Sequence, residues 1–330
     1  MKLPFDLGVK LVFRLLLPGF FIAMGMAPIL YALLDVIGWR ESREYAFILL
    51  VFLMGWGLIV LDQPIYMLFE GRRYWPDPLK KLFIWREKKR LRDNLKREDK
   101  YANTNVQKSR EASVEVRRFP LNSKGEPEVQ RPSRLGNLIK AFETHPDRIY
   151  GIDAAFYWYR IWIILDKELR EELDIRQAVA DSAIYTSCAF YVNAFLWMIY
   201  AFLSSIGLLL VKNPFRASSS WLLAFIFLWV GYRVYRISIY PQTQYGEVFK
   251  SIFDIYEDKI DVRKTLLEAA TLTSDSTIMY LDRKQKLRIA WRYLHNFMVK
   301  CPKCGDVVPP PAYKDHLHKF HEYGPWQPAK

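Results

Sequence analysis

Four residues near the C-terminus have the types and spacing for metal chemistry: Cys301, Cys304, His316 and His321. They read Cys-x2-Cys-x11-His-x4-His, with Pro302, Lys303 and Gly305 completing a tight turn around the thiols. A short helix predicted after Pro309-Pro310-Pro311 carries both imidazoles on one face. Two thiolates and two imidazoles make a closed tetrahedral set for a structural zinc ion, with no open position for a catalytic water. In an isolated module, such binding contributes ~10–16 kcal/mol of apparent folding energy. Val307, Val308 and Leu317 would form its small core. His318 competes with His316, since His318-x2-His321 is a second workable spacing. The bland alternative is a His-rich tail with an incidental cysteine pair.

Elsewhere, chemistry-bearing residues are sparse. Asp62 and Gln63 sit late in an apolar run, where an uncompensated carboxylate at the helix centre costs ~2.5–3.5 kcal/mol. Such residues line a conduit or face a bundle interior; alternatively, Asp62 marks the membrane boundary and Pro64 ends the span. Asn193 suits an interhelical hydrogen bond better than a ligand contact. The chain has no His-Glu-x-x-His, phosphate-binding Gly loop or nucleophile elbow. It is read as a non-enzyme, with an enzyme of scattered polar residues held third.

The elements around these residues follow from blocky hydropathy. Mean hydropathy is close to zero at -0.06, yet apolar, aromatic stretches alternate with dense Lys and Arg. The formal net charge is +13. In a soluble protein that would suggest nucleic acid, but it equally fits loops facing anionic lipid. Three cysteines make no disulfide framework. Apolar runs cover residues 15–37, 45–61 (continuing less cleanly to 69), 184–211 and 221–240. A helix of ~20 residues crosses the ~30 Å hydrocarbon core. Short links at 38–44 and 212–219 make two hairpins, and the first run is expected to stay as a signal anchor.

Basic residues set the orientation. Lys2, Lys10 and Arg14 precede the first run. Arg72, Arg73, Lys80, Lys81, Arg86, Lys88, Lys89 and Arg90 follow the second, and Arg233 and Arg236 close the fourth. The short links carry only Arg40, Arg43, Lys212 and Arg216. Both termini and the middle segment are therefore expected in the cytoplasm.

In that segment, residues 78–100 form a basic helix with Leu79, Leu82, Phe83, Leu91 and Leu95 at helical spacing. It is suited to an anionic lipid surface, or else is simply solvated. Val114-Glu115-Val116 alternates and 122–125 is turn-like, which allows a small hairpin; a flexible linker is the alternative. Residues 135–143 read as a helix broken at Thr144-His145-Pro146-Asp147. His145-Pro146-Asp147 lacks the flanking helices of a J-domain, so chance explains it. Asp153 can cap a Trp/Tyr-rich helix over 154–165. That helix is too short to span, and is placed in the interface or against a cytoplasmic core. Residues 166–181 extend the third span as one helix projecting into the cytoplasm. Residues 245–260, with Val248, Ile252, Phe253 and Tyr256, and 276–299, with Leu281, Leu287, Trp291 and Leu294, read as amphipathic helices.

Two resemblances rest on motifs. Pro132-Ser133-Arg134-Leu135-Gly136-Asn137, Arg148-Ile149-Tyr150-Gly151-Ile152-Asp153 and Phe156-Tyr157-Trp158 resemble a group of uncharacterised bacterial multi-span membrane proteins. This implies the architecture and a bacterial cytoplasmic membrane, and no activity. The Cys301 to His321 segment resembles a compact two-Cys, two-His zinc finger, although its central spacer is one residue short and an aromatic core residue is missing. A lone finger lacks the tandem array that reads bases, so specific nucleic-acid binding is not expected.

The expected fold is an all-α integral membrane protein. Its parts are a first hairpin (1–70), a basic and interfacial segment (71–177), a second hairpin (178–240), a helical region (241–300) and a zinc module with tail (301–330). The functional expectation is a membrane-embedded scaffold or adaptor recruiting a cytoplasmic partner. The alternative is an oligomeric channel or pore, with Gly25, Gly55, Gly57, Ala201 and Ser205 allowing close helix contacts.

Overall fold

The computed structural model describes residues 11–122, 124–206, 217–256, 259, 299–300 and 307–308. Four helices among them are long and apolar enough to cross a membrane: Val12–Ile37, Arg40–Val60, Lys167–Ser205 and Ser218–Tyr256. The described chain is helical, as an all-α membrane protein requires, apart from two antiparallel two-residue strands.

In chain order, a π-helical turn Val12–Leu16 leads into α1 (Leu17–Ile37), and α2 is Arg43–Val60. Then follow α3 (Asp62–Phe69), α4 (Asp77–Tyr101), α5 (Val106–Val116), α6 (Arg134–Tyr150), α7 (Ala154–Ile164), α8 (Lys167–Ser205) and α9 (Ala217–Tyr256). The strands are β1 (Val299–Lys300) and β2 (Val307–Val308). The chain divides into two compact units, Met1–Ala141 with Asp166–Val248 and Phe142–Leu165 with Phe249–Lys330.

In the first unit, small residues set the helix contacts. A Cβ on Gly19 would run into the Val51 carbonyl, and one on Gly55 into the Leu15 carbonyl. Without those side chains the two backbones come together, which is how helices gain packing in lipid. Gly25 leaves room for Asn193, whose Nδ2 donates to the Phe21 carbonyl at 2.7 Å. Asn193 thus makes the expected interhelical bond. Ser187 Oγ donates to the Gly231 carbonyl at 2.9 Å, tying α8 to α9.

Outside the spans, α4 and α5 pack around Leu91, Phe119 and Val129, with Ile84, Leu95 and Val116 at the edge. Residues 114–116, for which the sequence allowed a small hairpin or a flexible linker, are instead part of α5. Asn105 starts that helix by accepting from the Lys108 N–H at 3.0 Å. A helical period puts Ala112 and Val116 toward the core and Glu115 toward arginines, an outcome the three-residue alternation could not reveal. Asn122 Oδ1 accepts from the Lys124 and Glu126 N–H groups at 2.9 and 3.0 Å, and one bridge joins Leu121 and Pro127.

In the second unit, α6 does not break at residues 144–147, as the sequence led us to expect. It runs through Pro146 and stops at Gly151, whose φ is +72°. There the Ile152 N–H donates to the Pro146 carbonyl, with Ile152 buried beneath. This left-handed glycine cap supplies the stop that the proline does not. Helix α7 buries Tyr157 and Ile161 and leaves Tyr159 and Ile163 exposed. Trp158 lies 4.7 Å from Phe249, and Phe142 lies 5.4 Å from it. The apolar stripe of 245–260 is buried at Ile252, Phe253 and Tyr256. It belongs to α9, which passes Pro241 without ending. Residues 276–298 lie outside the described set.

Candidate functional site

The first polar constellation joins the ends of all four spans. Arg14 pairs with Asp181, and the Tyr66 hydroxyl donates to the same carboxylate. Gln242 Nε2 donates to Tyr66 Oη at 2.9 Å, and Tyr185 Oη donates to Asp62 at 2.5 Å. Arg14 stands just before the first apolar run, Asp62 just after the second, Asp181 just before the third, and Gln242 just after the fourth. Arg14 and Asp181 neutralise each other, Asp62 is hydrogen-bonded by Tyr185, and all three lie away from the centres of the apolar runs. Asp62 is thus hydrogen-bonded, two residues past the end of the apolar helix Arg40–Val60. Pro64 does not end the helical path: α2 breaks at Leu61, and Pro64 lies in the first turn of α3.

The second constellation grows from the segment 132–137. Ser133 Oγ accepts from the Gly136 N–H at 2.9 Å and caps α6. Gly136 lets the Glu70 carbonyl come close, and Leu135 is fully buried. Asn137 uses all of its amide capacity. Its Oδ1 accepts from Gln130 and Arg131 N–H at 3.0 and 2.9 Å, and its Nδ2 donates to the Arg131 and Ser133 carbonyls at 2.8 and 3.0 Å. This frame aims Arg134 at Glu115, which it meets at 2.6 Å. Arg90 reaches Glu115 at 2.7 Å, and Arg118 also pairs with it.

Burial would raise the Glu115 carboxyl, but Arg134, Arg118 and Arg90 outweigh it and hold the group below its ordinary value. Neighbouring Glu87 is raised, because burial outweighs the pull of Arg90 and Arg134. Arg134 is pushed down to about 10 by burial and by crowding from Arg90 and Arg118, against the opposing pull of Glu115. It remains a cation at neutral pH.

These shifts predict opposite acid responses. Glu115 contributes stability above its unfolded pKa and loses it as pH falls through its lowered folded pKa. Glu87 is destabilising when charged, and that cost is relieved as pH falls through its raised folded pKa. We expect Glu115→Gln to cost about 2 kcal/mol at neutral pH and to flatten the acid-side loss. Glu87→Gln should steepen it. Helix content in detergent between about pH 3 and 7 reads both; superimposable profiles would contradict this assignment.

Two open spaces adjoin the cluster. A groove of about 1250 Å³ runs along α4 and α5, lined by eight arginines and lysines against three carboxylates. A cavity of about 1030 Å³ lies against α8 and α9, and shares Arg86, Arg90, Arg134 and Arg236 with the groove.

Comparison of the chain with protein-family models, curated proteins and solved structures yields no match. Cys301, Cys304, His316, His318 and His321 lie outside the described residues. Among the described residues, no three His, Cys, Asp or Glu side chains are grouped to hold a metal. The Arg14–Asp181 pair and the Glu115 cluster escaped sequence reasoning. The first left one trace, a polar residue at the end of each apolar run; of the second only the segment 132–137 stood out.

Proposed function

We propose that the protein is a membrane-embedded adaptor that recruits an acidic cytoplasmic partner through the α4–α5 groove and a C-terminal zinc module. The observation that carries this reading is the groove itself. It has a strong cationic excess and is built on a packed core and an ion cluster in which three arginines meet Glu115, so it is preformed and not a flexible basic linker. A charged concave surface of one sign steers and selects an oppositely charged partner.

In this reading the spans form two hairpins, with both termini and residues 71–177 in the cytoplasm. The meeting of all four polar span ends supports it, because an alternating path returns those ends to one side. The bacterial affiliation implied by the 132–137 and 148–158 motifs fits a cytoplasmic membrane. Zinc is held by Cys301, Cys304, His316 and His321 in a structural role. Its support is the pairing of β1 with β2, Val299 opposite Val308, which brackets the six residues containing both cysteines. Cytoplasmic placement keeps those thiols reduced. Gly25 and Gly55 are occupied in packing within the chain, so they add nothing to a pore reading.

The test is affinity capture from detergent extracts, with metal analysis on the same preparation. Wild type should carry one zinc per chain and retain a partner with acidic segments. Cys301→Ser/Cys304→Ser should lose the metal, and Arg97→Glu/Lys108→Glu should lose the partner. Metal-free wild type would remove the zinc module, and a partner indifferent to both variants would remove the adaptor.

A further inference from the structure

The cavity against α8 and α9 has a sharply divided wall. Its apolar half comes from Tyr191, Val192, Phe195 and Leu196 on α8, with Tyr232 on α9. Phe195 and Tyr232 remain 59% and 41% exposed, so protein does not fill the space in front of them. Its other end is cationic: Arg86, Arg90, Arg134 and Arg236 stand there with a single carboxylate, Glu87. Tyr232 and Arg236 are one helical turn apart, so the wall changes from apolar to cationic within ~5.4 Å.

From Cys188 to Leu196 the α8 wall rises roughly 12 Å, most of the ~15 Å of one leaflet's hydrocarbon. Arg90 and Arg134 share Glu115, whereas Arg86 and Arg236 form no ion pair among the described residues. The Nε atom of Arg134 is buried without an acceptor. Cationic charge therefore exceeds what the protein's own carboxylates neutralise, at the polar end of an apolar slot.

We propose that this cavity is a binding site for an anionic phospholipid, with the phosphate seated among Arg86, Arg90, Arg134 and Arg236 and an acyl chain lying along Tyr191 to Leu196. Guanidinium groups suit phosphate because they donate in a planar fork. The volume is at the upper end for small-ligand pockets, enough for a headgroup and the first part of a chain. Thus the lipid would fix α4 against the spans and set the position of the groove beside it. Only the choice of the cytoplasmic leaflet rests on the proposed topology; the site itself does not.

The full chain in neutral detergent is titrated with phosphatidylglycerol, phosphatidylcholine or inorganic phosphate, and binding is read by native mass spectrometry and thermal unfolding. Phosphatidylglycerol should bind at least tenfold tighter than phosphatidylcholine, and phosphate alone should not stabilise the protein. Arg86→Ala/Arg236→Ala should weaken phosphatidylglycerol about thirtyfold (~2 kcal/mol at 1.4 kcal/mol per decade). Neither arginine forms an ion pair among the described residues and Arg86 acts on Glu87 only at longer range, so lipid-free stability should fall far less than lipid affinity. Val192→Trp, which fills the apolar half, should also lower binding. Equal binding of both lipids, undiminished binding by the arginine variant, or full stabilisation by inorganic phosphate would each overturn the lipid site. These outcomes are independent of partner capture, so the adaptor can fail while the lipid site stands.

Discussion

Asp181→Ala should destabilise the transmembrane unit by about 3–5 kcal/mol. Asp181 is buried and takes both the Arg14 guanidinium and the Tyr66 hydroxyl. Truncation leaves a cation with no counter-charge in a low-dielectric setting, and leaves the Tyr66 hydroxyl, which links α3 to α9 through Gln242, without its acceptor. The decisive comparison is a double variant, Arg14→Met/Asp181→Leu. A buried pair replaced by apolar residues of similar volume is often neutral or stabilising, whereas a broken pair is not. The double variant should therefore recover most of the loss, as read by unfolding midpoints in detergent. If Asp181→Ala alone unfolded at the wild-type midpoint, the pair would have no structural weight. Asp181→Asn separates charge from hydrogen bonding: it should fall between wild type and alanine.

Asn137→Ala should cost about 3–4 kcal/mol, unusually much for removal of one small side chain outside the spans. Asn137 is 1% exposed and satisfies two N–H groups and two carbonyls of the 130–133 loop. Each buried group left without a partner costs ~1–3 kcal/mol, moderated by relaxation of the loop. Loss of this frame also frees Arg134 from its alignment on Glu115, so proteolysis within residues 117–133 should accelerate in the variant. Asn137→Asp keeps the two acceptor bonds but sets a buried carboxylate oxygen against the Arg131 and Ser133 carbonyls, so it should not recover the loss. Wild-type stability and protease resistance in Asn137→Ala would show that the loop is held by other means.

The six residues 132–137 illustrate how far sequence reasoning reached. They stood out as a motif, but their chemistry was mute because every bond they make is to backbone or to residues distant in the chain. Only the structure shows that Ser133 caps the helix start and that Gly136 admits the Glu70 carbonyl. Nothing local says that Arg134 meets a carboxylate nineteen positions earlier, in a segment whose sequence allowed a hairpin or a flexible linker. The proline in α6 misled in the opposite way. Proline favours helix ends in general, but here the left-handed Gly151 with buried Ile152 beneath it provides the actual stop.

The sequence alone determined the four long apolar helices, the basic helix α4 and the interhelical role of Asn193, because hydropathy, helical period and the cost of a lone amide in lipid are local properties. Its Cys/His spacing likewise defines the metal chemistry to be tested. Only the tertiary structure decided that Arg14, Asp62, Asp181 and Gln242 meet, that Glu115 gathers three arginines, and that a half-apolar, half-cationic cavity opens beside them. The span-end contacts join residues more than a hundred positions apart and the Glu115 cluster joins three different helices, so their existence depends on which helix faces are packed together, which no single segment encodes.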